Sequence, residues 1–405
     1  MPVASTLEAT RLLRLQLGQE TTWGTNVPAT AILHGVSPVP QITPMLKVMQ
    51  HDEQLGALTP SFRSNLTATG GTWSHAGNVL YEDIVYTLAQ AFGLPTPALV
   101  SPKTITAISK AAAAVVTSVG HGLVTAGSPT AQVLITGSNS TPTIDGVQTI
   151  TYVSADTFSV PVNTSSGATG SAGSVSKTVS WTFTPPVAAT FTPVSYTMEL
   201  GNVQGTDDVE AAGCLLQTWN IKGELSKALT YDAKGFFKAF TTGTLASALA
   251  LRSVETALTP STALALDVSL ATPGTTAFAS TLVTFDVSGT TGLQPVYAGG
   301  ALAPASFVYA KQDCGLKIGL LYNSTLATYI NANAGAGLPM VIQLKATSGV
   351  KSIEIDYSGV LKSDPVYWGD SQGAQIVELD LGAQYDTALA NYMKVVVTNQ
   401  MVALA

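Results

Sequence analysis

The sequence predicts a mainly β fold: a β-sandwich or barrel with one flanking α-helix, plus an inserted small all-β domain. Three observations carry this. Short apolar runs with two-residue alternation recur along the chain, punctuated by Gly, Pro, Asn and Asp turns. Only Leu80–Gly93 shows clear helical spacing. Between two proline-bearing stretches the composition changes, and Lys110, Asp145 and Asp156 are the only formal charges between Lys103 and Lys177. The domains are therefore expected at 1–103 joined with 178–405, and at 104–177 as an insertion at an exposed loop.

Taken in order, Arg11–Gly18 and Ala31–Val36 are short strands separated by a turn through Gly18, Gly24 and Pro28. Pro38, Pro40 and Pro44 break regular structure. Met45–Asn65 mixes Met, Leu, charge, Gly56 and Pro60, and is expected to be a long loop; loops of this length are commonly functional. Leu66–Ser74 alternates as a strand. In the helix, Tyr81, Ile84, Val85, Leu88 and Phe92 share one face, to be laid on a sheet. Asn78 is the expected N-cap, with Glu82 and Asp83 in the first turn where the backbone dipole favours them. Gly93 suits the left-handed position past the last turn, and Pro95 forbids continuation. Leu94–Lys103 is a stiff proline linker.

In the inserted region, strands are expected at Ala114–Ser118, Gln132–Thr136, Val147–Val153 and Thr157–Val162, with Asn163–Ser174 a flexible low-complexity loop. Beyond it, Val179–Phe183, Val194–Leu200 and Cys214–Leu225 read as strands, the last with a bulge at Gly223. Leu229–Phe240 is strand or short helix, and Val254–Gly300 has weak periodicity. Lys317–Tyr322, Met340–Lys345, Ser352–Leu361, Ala374–Leu381 and Lys394–Thr398 complete the strands, with Asp364–Gly373 a turn-rich connection. Ser352–Leu361 and Ala374–Leu381 are expected as antiparallel neighbours.

The 405 residues are 46% hydrophobic but only 11% charged, far below the roughly 25% of ordinary soluble domains. So sparsely charged a surface is poorly protected against association, and suits one covered by copies of itself or by partners. A net charge of −7 argues against a nucleic-acid-binding face. No apolar run is long enough to span a membrane, the first eighteen residues lack a secretory pattern, and no membrane insertion is expected. Cys214 and Cys314 are expected to be buried free thiols.

The residues offer little chemistry. His34, His51, His75 and His121 lack metal-ligand spacing. No nucleophile elbow, phosphate loop or dinucleotide fingerprint is present. Asp207, Asp208 and Glu210 read as a solvated turn, and Glu354 with Asp356 as the polar side of a half-buried strand. Neither an enzyme nor a cofactor is expected.

Several stretches resemble the major tail tube protein of long, non-contractile-tailed bacteriophages. RLQLGQETTWGTNVPAT looks like that family's opening strand and turn. WTFTP followed by SYTMELGN, and a closing SGVLKSDPVYWGDSQGAQIVELDLGAQYDTALANYMKVVVTN, follow its layout. The resemblance covers about residues 1–100 and 178–405. It implies a tail-tube-type sandwich or barrel, hexameric rings stacked into a virion tail tube, and a lumen holding the tape-measure protein and then the transiting DNA during genome ejection. It also implies contacts with tail terminator and tail tip proteins. By the same analogy, Leu46, Val48, Met49, His51, Asp52, Glu53, Leu55 and Leu58 form the ring-to-ring contact, and deleting Gln50–Thr59 is expected to leave rings but abolish long tubes. The inserted domain is expected outside, as decoration. The competing expectation is an extracellular glycan-binding adhesin module using Trp181, Tyr297 or Trp368 as an aromatic platform.

Overall fold

The computed structural model describes residues 13–51, 63–187, 191–202, 208–243, 245–246, 249, 251–258, 265–267, 281–371 and 373–404. The chain opens with β1 (Leu13–Gln19), β2 (Ala31–Leu33), β3 (Gln41–Pro44), β4 (Lys47–His51), β5 (Arg63–Ala68) and β6 (Gly71–Asn78). The proline-rich stretch does not simply break the chain. It holds β3, which among the described residues pairs only with β6, and an edge strand is where a proline's missing N–H is tolerated.

Helix α1 (Ile84–Phe92) begins later than its apolar spacing suggests. Asn78 ends β6 instead of capping the helix. Asp83 is the N-cap, but its side chain makes no capping bond. The carboxylate turns to the backbone N–H of His34 and to Arg252, whose Nη2 lies 2.6 Å away. Glu82 and Asp83 are thus buried ion-pair partners, not first-turn surface charges. Gly93 closes the helix at φ +89° and ψ 166°, a positive φ but not the left-handed helical conformation expected, and its N–H donates to Ala89 O. Ile84 to Ala91 are all buried, so the helix is enclosed on every side, not laid down along one stripe.

The strands after α1 are β7 (Ala98–Leu99), β8 (Lys103–Thr104), β9 (Ala107–Ile108), β10 (Ala114–Thr117), β11 (Thr130–Thr136), β12 (Gly146–Ser154), β13 (Thr157–Val160) and β14 (Ser174–Ser176). Next come β15 (Val179–Phe183), β16 (Tyr196–Asn202), β17 (Asp208–Glu224), β18 (Thr230–Phe237), β19 (Ala239–Gly243) and β20 (Ala265–Asp267). Then follow β21 (Leu282–Thr290), β22 (Leu293–Val296), β23 (Ser306–Tyr309), β24 (Asp313–Leu321), helix α2 (Ser324–Ala336) and β25 (Met340–Ser348). The last four are β26 (Lys351–Leu361), β27 (Val366–Ser371), β28 (Ala374–Ala383) and β29 (Met393–Asn399). The protein is mainly β, with two helices among the described residues. Helix α2 is the one the sequence hides: only Leu326 and Ile330, four apart, are fully buried in its described part.

Strand β17 ties the architecture together. Its first half pairs with β16 and β19, in a sheet ordered β2-β1-β16-β17-β19. Its second half pairs with β18 and β21, in a sheet ordered β3-β6-β18-β17-β21-β24-β28-β27. The switch of partners falls around Gly213, with φ +75°, where a Cβ would lie 2.8 Å from the Lys238 side chain and 3.0 Å from Trp23 Nε1. A register slip follows between Leu216 and Thr218. Gly223, the expected bulge, instead sits in regular register opposite Phe285, whose ring lies over it. A third group runs β7-β15-β29-β26-β25-β20. It joins the second through three antiparallel pairs between β26 and β28, the neighbours expected from sequence. The core between these sheets holds Tyr86, Phe183, Tyr196, Phe237 and Tyr357, and α1 packs against β15 and β17.

Strands β8 to β14 form their own sheet, in the order β8-β14-β11-β12-β13-β10-β9, around a separate core that includes Ile108, Val133, Ile150 and Phe158. The low-complexity string is not a free loop. Thr164 is fully buried and its hydroxyl donates to Ser109 O, while Asn139 Oδ1 accepts from the N–H groups of Ser171 and Ala172. Small residues are needed here, because a Cβ on Gly167 would collide with the Thr141 carbonyl.

Candidate functional site

The segment read from sequence as a long loop carries a β-ribbon. Strands β4 and β5 pair antiparallel as a two-stranded sheet of their own, with Val48 opposite Leu66 and Met49 opposite Asn65. Leu46 is 67% exposed, and Met45, Val48, Met49 and Leu66 are also exposed. Val48 and Met49 are neighbours on one strand and point to opposite faces, so both faces of the ribbon carry exposed apolar side chains. An isolated two-stranded ribbon is marginal in water, and apolar side chains on both faces make it a surface for something else to cover. His51 lies at its described end, beside Asn65 Nδ2 at 3.1 Å. Asp52, Glu53, Leu55 and Leu58 lie outside the described residues. The ribbon's base is fixed: Met45 N–H donates to Gly70 O, and Thr69 N–H to Leu302 O in the β22–β23 connection.

The buried carboxylates are occupied by structural bonds. Glu20 accepts from Ser195 Oγ, Thr197 Oγ1 and the N–H groups of Gly24 and Gly213, at 2.6–2.9 Å. Glu199 accepts from Ala29 and Ala246 N–H. Asp208, expected in a solvated turn, is buried and accepts from Asn202 and Leu245 N–H. These side chains tie loops to strands and leave no free base. Glu354 pairs with Lys345 and Asp356 with Lys394, both at under 3 Å; Asp356 is fully buried although the sequence places it on an open polar face.

The thiols are free and buried, as expected. Burial pushes the Cys214 thiol up, and pushes Cys314 to about 12, so neither supplies a thiolate nucleophile near neutral pH. Among the described residues no group of His, Cys, Asp and Glu could hold a metal ion.

Sequence reasoning missed a broad polar sheet face. Across four strands the register aligns Lys222, Asp286, Lys317 and Asp380 in one row of alternating sign. Lys222 lies 3.3 Å from Asp286, and Lys317 lies 3.7 Å from Asp380. Lys234 pairs with Asp232 and Lys227 with Glu224 on the same surface. The flanking rows are Asn220, Ser288 and Gly315 on one side and Glu224, Thr284 and Gly319 on the other, and a groove of about 560 Å³ runs over the charged row and the Thr284 side. The signal was present in the strict alternation of Lys222, Asp286 and Lys317, but only the register shows that they meet.

Trp181 does not contribute to an exposed aromatic platform: it is 2% exposed and its indole N–H donates to Met401 O. Tyr297 is exposed. The side chain of Trp368 lies outside the described residues. No known protein-family model and no curated protein sequence matches this chain. No helix among the described residues is long and apolar enough to cross a membrane.

Proposed function

We propose that the protein is a structural subunit that associates with copies of itself, of the kind that stacks as rings into the tail tube of a non-contractile-tailed bacteriophage. The observation that carries this reading is the β4–β5 ribbon, with apolar residues exposed on both faces and no strand partner beyond each other among the described residues. In a tube the next ring covers it. Its work is geometric, without a catalytic step.

The polar sheet face supports the same reading. A lumen must let a polyanion pass without holding it, and a face on which Lys222, Lys227, Lys234 and Lys317 each lie beside a carboxylate offers DNA no continuous cationic track. The partners are then other copies of the chain, the tape-measure protein and DNA in the lumen, and terminator and tip proteins at the tube ends, in the tail of the virion. The β8–β14 domain decorates the exterior.

The ribbon is tested by Leu46→Ser with Val48→Ser and Met49→Ser. These side chains are exposed, so the unfolding midpoint is expected to stay close to that of the wild type, while long tubes disappear from negative-stain micrographs. Normal tubes from this variant would remove the ribbon from the interface. Deleting Gln50–Thr59 is expected to leave rings that do not stack.

A further inference from the structure

We propose that Met45 and Met49 are oxidation sites: a hydroperoxide converts their thioethers to sulfoxides in the free subunit, and the oxidised ribbon no longer enters the contact between copies. The inference rests on the self-association reading above and adds a redox control of that same site. The methionines of the chain fall into two groups. Met198, Met340 and Met393 are at most 1% exposed and Met401 is 9% exposed, whereas Met45 and Met49 are 39% and 49% exposed. Met1 lies outside the described residues.

Two of the buried sulfurs are also engaged. Cys314 Sγ–H donates to Met393 Sδ at 3.8 Å, and Arg252 Nη1 donates to Met401 Sδ at 2.8 Å. Among the described residues, the thioether sulfurs open to an aqueous oxidant therefore lie on one short stretch, β4 and the residues just before it. Met49 stands opposite Asn65, whose Nδ2 lies 3.1 Å from His51, so its surroundings are polar and exposed. The thiols do not compete. Cys214 and Cys314 are buried, and burial holds both in the thiol form, which reacts slowly with peroxide.

In the step itself a sulfur lone pair attacks the outer oxygen of the hydroperoxide. The S–O bond forms and the O–O bond breaks. The proton on the transferred oxygen passes to the departing oxygen, which leaves as an alcohol or water. Sulfur gives up two electrons and the peroxide takes them. The product is a strong dipole and acceptor where an apolar side chain stood, and burying it without a donor is costly. In the free subunit both side chains already face water, so the folded monomer loses little. The cost falls on the contact that would bury them. Once the ribbon is covered, the sulfurs are out of reach, so peroxide acts on free subunits and spares assembled ones.

The test treats the purified full chain with dilute hydrogen peroxide and follows each methionine by peptide mass spectrometry, with particle mass by sedimentation and thermal unfolding alongside. Met45 and Met49 are expected to gain oxygen roughly tenfold faster than Met198, Met340 and Met393. The oxidised chain is expected to need a roughly tenfold higher concentration for half-assembly at an unchanged unfolding midpoint, and methionine sulfoxide reductases are expected to reverse the shift. Met45→Leu with Met49→Leu keeps the surface apolar and is expected to assemble equally well before and after peroxide. Oxidation spread evenly over buried and exposed methionines overturns the site assignment. Selective oxidation that leaves the half-assembly concentration unmoved, or a loss of assembly shared by the leucine variant, overturns the control while the self-association reading stands. A reduced wild type that stays monomeric overturns that reading and the control with it, while the selectivity at Met45 and Met49 still stands or falls on the spectra.

Discussion

His75 sits in the sheet interior, stacked on Trp73 and edge-on to Tyr231, with its Nδ1 lacking a hydrogen-bond partner. Burial lowers its pKa from 6.5 to about 4. Between those values the unfolded chain binds a proton that the folded chain refuses. Stability from this residue is therefore complete above pH 6.5, declines as pH falls towards 4 and is flat below, a loss of about 3 kcal/mol. Denaturant titrations at pH 7, 5 and 4 should show this decline in the wild type and a smaller one in His75→Phe; parallel curves would contradict it. A second buried charge set surrounds the start of α1. Lys351 Nζ is 2.6 Å from Glu82 and 3.5 Å from Glu255, and Glu255 also accepts from Ser348. Lys351→Met strands Glu82 in the interior and is expected to cost about 3–5 kcal/mol, read as a lowered unfolding midpoint. None of these partnerships was legible in the sequence. Glu82 and Asp83 looked like first-turn surface charges because helix propensity says nothing about what will fold over the helix end.

At the scale of elements, strands with alternating apolar residues were legible. Val179–Phe183, Met340–Lys345 and Ser352–Leu361 each correspond to a strand, and Tyr81, Ile84, Val85, Leu88 and Phe92 lie in the main core or pack against it. What escaped were β21 and β27 above all: β21 (LVTFDVSGT) alternates through Val283, Phe285 and Val287 but lies in a long Thr-, Ala- and Gly-rich stretch, and β27 (VYWGDS) lies among Asp364, Pro365, Gly369 and Asp370, which read as a turn. The switch of partners along β17 escaped too. It falls beside Gly213, which has a positive φ, while the sequence drew attention to Gly223. Gly213→Ala adds a Cβ in a left-handed conformation, against Lys238 and Trp23, and is expected to destabilise by about 2 kcal/mol; Gly223→Ala would instead press on Phe285, a side chain within one regular ladder. Comparable unfolding midpoints for Gly213→Ala and the wild type would show that the switch of partners does not depend on the backbone conformation there. The ribbon of β4 and β5 was legible as composition, Leu46 and Met49 included, but not as a ribbon, since its strands obey no one-faced pattern.

The whole molecule is a large antiparallel β assembly carrying a small sheet with its own core. The entry and exit of that small sheet are side by side, because β8 pairs with β14 through Lys103 and Val175. Removing residues 104–177 and rejoining the ends is therefore expected to leave the rest folded and able to assemble, with loss of the Leu134 side chain from the main core as the principal penalty. Micrographs of the excised chain check this, and its failure to form particles would make the small sheet part of the interface instead of decoration. The sparse charge was readable from composition and pointed to covered surfaces, whereas the location of those surfaces needed the fold. The most direct measurement is the mass and shape of the purified full-length chain, by sedimentation velocity with negative-stain microscopy over a wide concentration range. The account expects closed rings at low concentration and stacked tubes at high concentration. A single monomeric species throughout, with the β4–β5 amides already protected from hydrogen exchange, would contradict it.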